Sequence, residues 1–193
     1  MVLPLMASAQ QRFDASLFAG LNMGQIDGDA SGRYNHPGLR AGVGTSFPLG
    51  EDLKSPWRMV VEMAFTNKGA HVPEEDIQYS LSYIEVPLMM SYTCMHQSLR
   101  IAAGIAPAVR VGVSVTDDGD EDENAETYFK RIDLLPLTLS VRYMLGLHLG
   151  AEFRMQYSAL SIADELIGQT YFLFRDNRGC FNNVVTFGLT YVF

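Results

Sequence analysis

The feature that most constrains this chain is a period of two in its hydrophobicity, repeated in segment after segment, with no competing 3.6-residue rhythm. In one segment Leu147, Leu149, Ala151, Phe153, Met155 and Tyr157 oppose His148, Gly150, Glu152, Arg154, Gln156 and Ser158. Ala15, Leu17, Ala19, Leu21 and Met23 alternate likewise with Ser16, Phe18, Gly20 and Asn22. So do Leu39, Ala41, Val43 and Phe47 with Arg40, Gly42, Gly44 and Ser46. Successive side chains of a strand point to opposite sides, so each segment owns two chemically different faces. Bounded by Gly, Pro, Asp and Asn, the pattern predicts eight strands, at about 14–23, 38–47, 57–67, 80–92, 98–113, 131–143, 147–158 and 183–193.

Alternation does not say which face points inward, because a soluble lipocalin-like ligand-binding barrel alternates too, with its apolar face inside. Side-chain size discriminates. The polar face is built of Gly, Ala, Ser and Thr with a few Arg and Glu, which suits a crowded interior, whereas a wet surface is richer in Lys, Glu and Asp. The other face is Leu, Val, Ile, Met and Phe, with Trp57, Phe65, Tyr92, Tyr143, Tyr157 and Phe193 near strand ends, where interfacial aromatic girdles belong. The expected fold is therefore all-β, an eight-stranded antiparallel transmembrane β-barrel. Connections at 24–37, 68–79, 114–130 and 159–182 read as long surface loops, alternating with shorter turns on the side of the termini, although Pro48 to Pro56 is long for such a turn.

No stretch approaches the roughly 20 apolar residues of a membrane-spanning helix. A net charge of −8 without any Lys/Arg cluster argues against nucleic acid as a partner. Residues 1–9, ending Ala7-Ser8-Ala9, read as the remnant of a signal peptide, leaving one barrel domain over 10–193. Cys94 and Cys180 would fall at opposite ends of the barrel, too far apart for a disulfide, which predicts two unbridged thiols.

Three stretches resemble the PorT-like outer-membrane β-barrel family of the Bacteroidetes group. Glu62-Met63-Ala64-Phe65-Thr66-Asn67-Lys68-Gly69-Ala70 is similar to that family's third strand, running into a Lys-Gly surface turn. Tyr83-Ile84-Glu85-Val86-Pro87-Leu88-Met89-Met90-Ser91-Tyr92 resembles its Tyr-Leu-Glu-Ile-Pro-Leu-Leu strand, and Gly188-Leu189-Thr190-Tyr191-Val192-Phe193 its last. The resemblance covers about residues 13–193. It implies an outer-membrane location, contact with lipid and lipopolysaccharide, and delivery by the barrel-insertion machinery through the last strand. The family's named member is associated with type IX secretion, which implies partners among secretion or envelope-complex proteins. It implies no activity, because a shared fold does not carry function.

The inward faces carry Arg40, Arg58, Glu62, Glu85, Arg100, Arg110, Arg142, Glu152 and Arg154. Unpaired charge in a narrow lumen is costly, so these predict a hydrogen-bonded Glu–Arg network that plugs the barrel; a gated ion path is the alternative. Pro87 lacks a ladder donor and predicts a bulge or break in its strand. Asp117, Asp118, Asp120, Glu121, Asp122, Glu123 and Glu126 read as a solvated acidic loop, since a calcium loop needs a placed glycine and a distal glutamate. Leu166, Ile167, Tyr171, Phe172, Leu173 and Phe174 either extend the last two strands or form a partner surface. His36 and His71 fall in surface loops near Ser31 and Glu74, His96 in a turn, and His148 in the lumen near the terminus end. None sets a nucleophile against a base, and no spacing fits a metal, so neither catalysis nor a cofactor is expected. A lipid-modifying enzyme remains an alternative.

Overall fold

The computed structural model describes residues 13–27, 34–50, 55–73, 76–94, 98–122, 125–163 and 179–193. Residues 1–9, the 164–178 stretch with its apolar cluster, and Ser31, Glu74, His96 and Glu123 lie outside the described residues.

The alternating segments become β1 (Asp14–Asp27), β2 (His36–Pro48), β3 (Trp57–Val72), β4 (Ile77–Glu85), β5 (Leu88–Cys94), β6 (Leu99–Asp117), β8 (Ile132–Met144), β9 (Leu149–Tyr157) and β10 (Phe181–Val192), with a two-residue β7 (Asp120–Glu121) and a one-turn helix α1 (Ala125–Tyr128). All pairings are antiparallel, and they run in a ring. β1 pairs β2, β2 pairs β3, and β3 pairs β4 and then β5. Both of those pair β6, which pairs β8, then β9 and β10, and β10 returns to β1 over Ser16–Val192 to Asp27–Phe181. Closure removes the exposed edge that an open sheet would offer.

The break expected at Pro87 separates β4 from β5. Pairing survives it, because Glu62 N–H donates to the Pro87 carbonyl and Val86 N–H to the Pro107 carbonyl.

The outside is apolar. Leu21, Leu39, Met63, Val111, Ile132 and Phe187 are each more than half exposed, while Glu62, Arg154 and Gln156 are buried inside. That rules out the lipocalin-like arrangement, whose apolar face lines the interior, and a band this large is at home in hydrocarbon rather than water. Aromatic rings gather at the end that holds the termini: Trp57 against Tyr92 at 4.8 Å, Phe13 against Phe47 at 5.9 Å, and Tyr191 against Phe193 at 5.1 Å, with Tyr143 exposed beside them.

Two expected girdle members differ. Phe65 falls in mid-strand, because β3 continues to Val72. Tyr157 points outward but is buried, its hydroxyl donating to Asp27 Oδ2 at 2.8 Å.

Several connections are shorter than expected. The supposed loop 68–79 is two strand ends joined across 73–76, so Lys68-Gly69 is strand and not a surface turn. Similarly, 24–37 shrinks to 28–35 and 114–130 is partly strand and helix. Beyond Thr66, β3 leaves β2 and crosses the inner side of β1, where Asn22 Nδ2 donates to the Asn67 carbonyl at 3.0 Å. Glycines permit this approach: a Cβ on Gly24 would lie 2.6 Å from the Gly69 carbonyl oxygen. No disulfide joins Cys94, the last residue of β5, and Cys180, which is buried at the far end.

Candidate functional site

Inward-facing residues of β2, β3, β8 and β9 converge in the half of the lumen nearest the termini. Arg40 Nη2 lies 2.7 Å from Glu62 Oε2, and Arg154 Nη2 lies 2.8 Å from the same oxygen. Arg154 also holds Glu152 Oε1 at 2.8 Å. Arg142 grips Glu152 Oε2 through Nε and Nη2, at 2.9 and 2.6 Å, and approaches Glu62 Oε1 at 3.6 Å. Arg40 additionally stacks on Phe18, its guanidinium carbon 4.2 Å from the ring centroid. Three guanidiniums thus share two carboxylates, all nearly inaccessible to solvent. Charges this deep hold together only because each carboxylate oxygen is hydrogen-bonded.

Further from the termini the lumen turns polar without the arginines. Lys68 pairs with Glu85, which also accepts from Gln156 Nε2 at 3.2 Å, and Lys68 stands 5.1 Å over the Tyr83 ring. Asp133 Oδ2 accepts from Ser158 Oγ and Asn182 Nδ2, both at 2.8 Å. An apolar cluster packs around and between these groups. Ile26, Val72, Tyr79, Leu81 and Leu135 pack with Phe129, Ile162 and Cys180, and Phe129 meets Tyr79 edge-on at 5.8 Å.

Of the nine charged residues expected to form one network, Arg40, Glu62, Arg142, Glu152 and Arg154 do so. Glu85 belongs to the Lys68 pair, a partner missed because Lys68-Gly69 read as a turn. Its parity with Glu62 and Thr66 along the strand was the available signal. Arg58 and Arg100 sit lower, at the mouth near the termini, sharing Asp14 Oδ2 at 2.8 and 3.9 Å. Among the described residues Arg110 pairs with no carboxylate; it donates to the carbonyls of Glu126 and Phe129, at the C-terminal end of α1. There it neutralises the partial negative charge of the helix end.

Two histidines also depart from expectation. His36 and His71 lie in β2 and β3, and His71 N–H donates to Asn35 Oδ1 at 3.1 Å. His148 is exposed at the terminus-end rim, where it lines the mouth of the lumen and stacks on Tyr191 at 5.5 Å. The acidic residues at 117–122 occupy the end of β6 and its hairpin with β7. Among the described residues no group of three or more His, Cys, Asp or Glu stands close enough to hold a metal ion.

Outside the far rim, Gln25 Nε2 donates to Asp27 Oδ1 at 2.7 Å and the Tyr34 hydroxyl to Asn183 Oδ1 at 2.7 Å, so Tyr34 ties the start of β2 to β10. Burial raises the Asp27 carboxyl above its ordinary pKa, against hydrogen bonds from Tyr157, Asn183 and Gln25 that lower it.

This geometry is a filled, charge-bearing lumen inside an apolar wall. The profile of the outer membrane protein beta-barrel domain family matches residues 8–163. No curated protein matches the sequence. Among solved structures the chain is similar to neisserial surface protein A (NspA), with a TM-score of 0.52 at 10% identity over 94% of this chain and 97% of that one. It is similar also to Ail, the attachment invasion locus protein of Yersinia pestis, with a TM-score of 0.51 at 12% identity over 94% and 99% of the two chains. At such identities the likeness concerns the fold.

Proposed function

The chain belongs to the outer membrane protein beta-barrel domain family and resides in the outer membrane, and from that premise we propose that it is a sealed, non-enzymatic barrel with a structural or protein-interaction role. In this reading the ring has eight strands, β4 and β5 being one strand interrupted at Pro87, and a lumen of that size has room only for its own side chains. The observation that supports the seal is the interior itself. The arginine–glutamate network fills the half near the termini, and the cluster around Leu81 and Leu135 fills the other. The termini and the aromatic ring face the periplasm and α1 faces the exterior, as is general for such barrels.

Within the family we propose a PorT-like membership, on the strand Tyr83 to Tyr92, where Glu85 is buried and Pro87 interrupts the ladder. Envelope or secretion-complex proteins are then the expected partners, met at the rims. Single-barrel recordings in planar bilayers test the seal. No discrete conductance is expected; stepwise, ion-selective openings would overturn it in favour of a gated channel. Affinity purification in mild detergent tests the role. Stoichiometric co-purifying proteins support an interaction subunit, while a heat-modifiable band alone restricts the role to structure.

A further inference from the structure

Charge is unevenly distributed in this acidic chain. Among the described residues, the half of the lumen near the termini holds five guanidiniums, of Arg40, Arg58, Arg100, Arg142 and Arg154, against three carboxylates, of Asp14, Glu62 and Glu152. The upper three arginines saturate the two glutamates. Among the described residues, the carboxylate partner of Arg58 and Arg100 is Asp14 alone: their Nη2 atoms lie 2.8 and 3.9 Å from one oxygen, Oδ2. Both also reach Ser46, Arg58 through Nε to Oγ at 3.2 Å and Nη2 to the carbonyl at 3.0 Å, Arg100 through Nη1 to Oγ at 3.5 Å. The β6–β8 register aggravates this by setting Arg100 directly opposite Arg142, and like charges opposed on neighbouring strands repel.

These two guanidiniums line an open vestibule of ≈ 730 Å³ at the terminus end, with Ser55, Thr93, Ser98 and His148 in its wall. Guanidinium forks match the two-oxygen edge of a carboxylate or phosphate. Asp14, with its side chain 38% exposed, already presents one such edge and leaves the second guanidinium at the longer distance.

We propose that this vestibule is a binding site for an oxyanion, a carboxylate or phosphate carried by a slender ligand, held by Arg58 and Arg100 where Asp14 only half-neutralises them. The proposal rests on the sealed-barrel reading, because a ligand stopped at a blind floor is bound and not conducted. An acidic peptide end and a phosphate ester share this chemistry, and both fit the space.

The test is calorimetric titration of the full chain, folded in detergent micelles at low salt, with triglutamate and separately with inorganic phosphate. Saturable binding of at least one is expected, and the tighter of the two identifies the source. Losing one charge-assisted contact in Arg58→Gln or Arg100→Gln weakens it about tenfold. Asp14→Asn, which removes the competing carboxylate, strengthens it. Arg100→Lys keeps the charge without the fork and weakens binding less than Arg100→Gln; it carries the test if the glutamine variant does not fold. Heat-shifted gel mobility verifies folding of each variant. Absence of saturable binding by both probes, or affinity unchanged in both arginine variants, overturns the site. Anion conductance in bilayers with no saturable binding overturns the seal as well, so the two failures are distinguishable.

Discussion

The two halves of the lumen are filled in opposite ways. Near the termini, Arg154 and Glu62 are packed among Arg40, Arg142 and Glu152, with the small apolar cluster of Val60, Met89 and Ala102 and a few hydroxyl side chains beside them. In the other half, Leu81 and Leu135 sit among Ile26, Tyr79 and Phe129 as in the core of a soluble protein. The difference follows the wall outside. Where the barrel is wrapped in hydrocarbon, the apolar side chains are spent on the exterior, so the interior must be polar and must satisfy itself. Where β3 crosses β1 and α1 covers the end, the barrel has an interior of its own, and apolar side chains turn inward.

The comparison breaks most readily at Glu62. Glu62→Ala leaves Arg40 and Arg154 without their shared carboxylate, and a cost of about 3–5 kcal/mol is expected for such an orphaned buried charge. Denaturant unfolding in lipid vesicles would report it, and an unchanged midpoint would mean that the network is solvated and the two halves are not opposites. The apolar half answers to Leu81→Ala, where a cavity should cost about 2–4 kcal/mol. Equal sensitivity of that variant and Glu62→Ala to added salt would erase the distinction, since only the charged layer interacts electrostatically.

At the boundary, Lys68→Met alone should destabilise by a few kcal/mol, whereas Lys68→Met with Glu85→Leu should return to within about 1 kcal/mol of the parent, because a buried ion pair replaced by apolar side chains of similar volume loses little. A double variant as poor as the single would assign the pair to the charged half. The smallest effect belongs to Asp27→Asn on the far rim. Its raised carboxyl pKa means that ionisation works against folding. The asparagine variant should therefore be slightly more stable, by less than about 1 kcal/mol, at neutral pH. The advantage should disappear as pH falls through the carboxylate range and Asp27 takes up its proton. A pH-independent difference would locate the effect in packing instead.

Much of this architecture is legible in the sequence. The inward side of β9, with Glu152, Arg154 and Gln156, follows from parity alone, as does the outward side with Phe153. Pro87 announced the interruption between β4 and β5, because a residue without an N–H is a local fact. Lys68 has the right parity but falls one residue past the predicted end of the third strand at 67, and Asp14, at the very start of the first, has the inward parity without any local sign that two arginines converge on it. Tyr157 and Asp27 could not be read at all. Parity sends both outward, and only the packing of the far rim buries them together.

The sequence by itself determined that strands form, that each has a polar and an apolar side, and that the exterior is apolar, because the side chains of a strand alternate with a two-residue period. Where the β6–β8 register shifts, the alternation reverses, so that Asp133 and Leu135 face inward although Leu139 and Val141 face outward. Only the tertiary structure decided which charges meet. Arg154 reaches Glu62 across 92 positions of chain, and Arg100 faces Arg142 instead of a glutamate. Such pairings depend on the register between strands and on the height at which each side chain enters the lumen, and no local pattern encodes either.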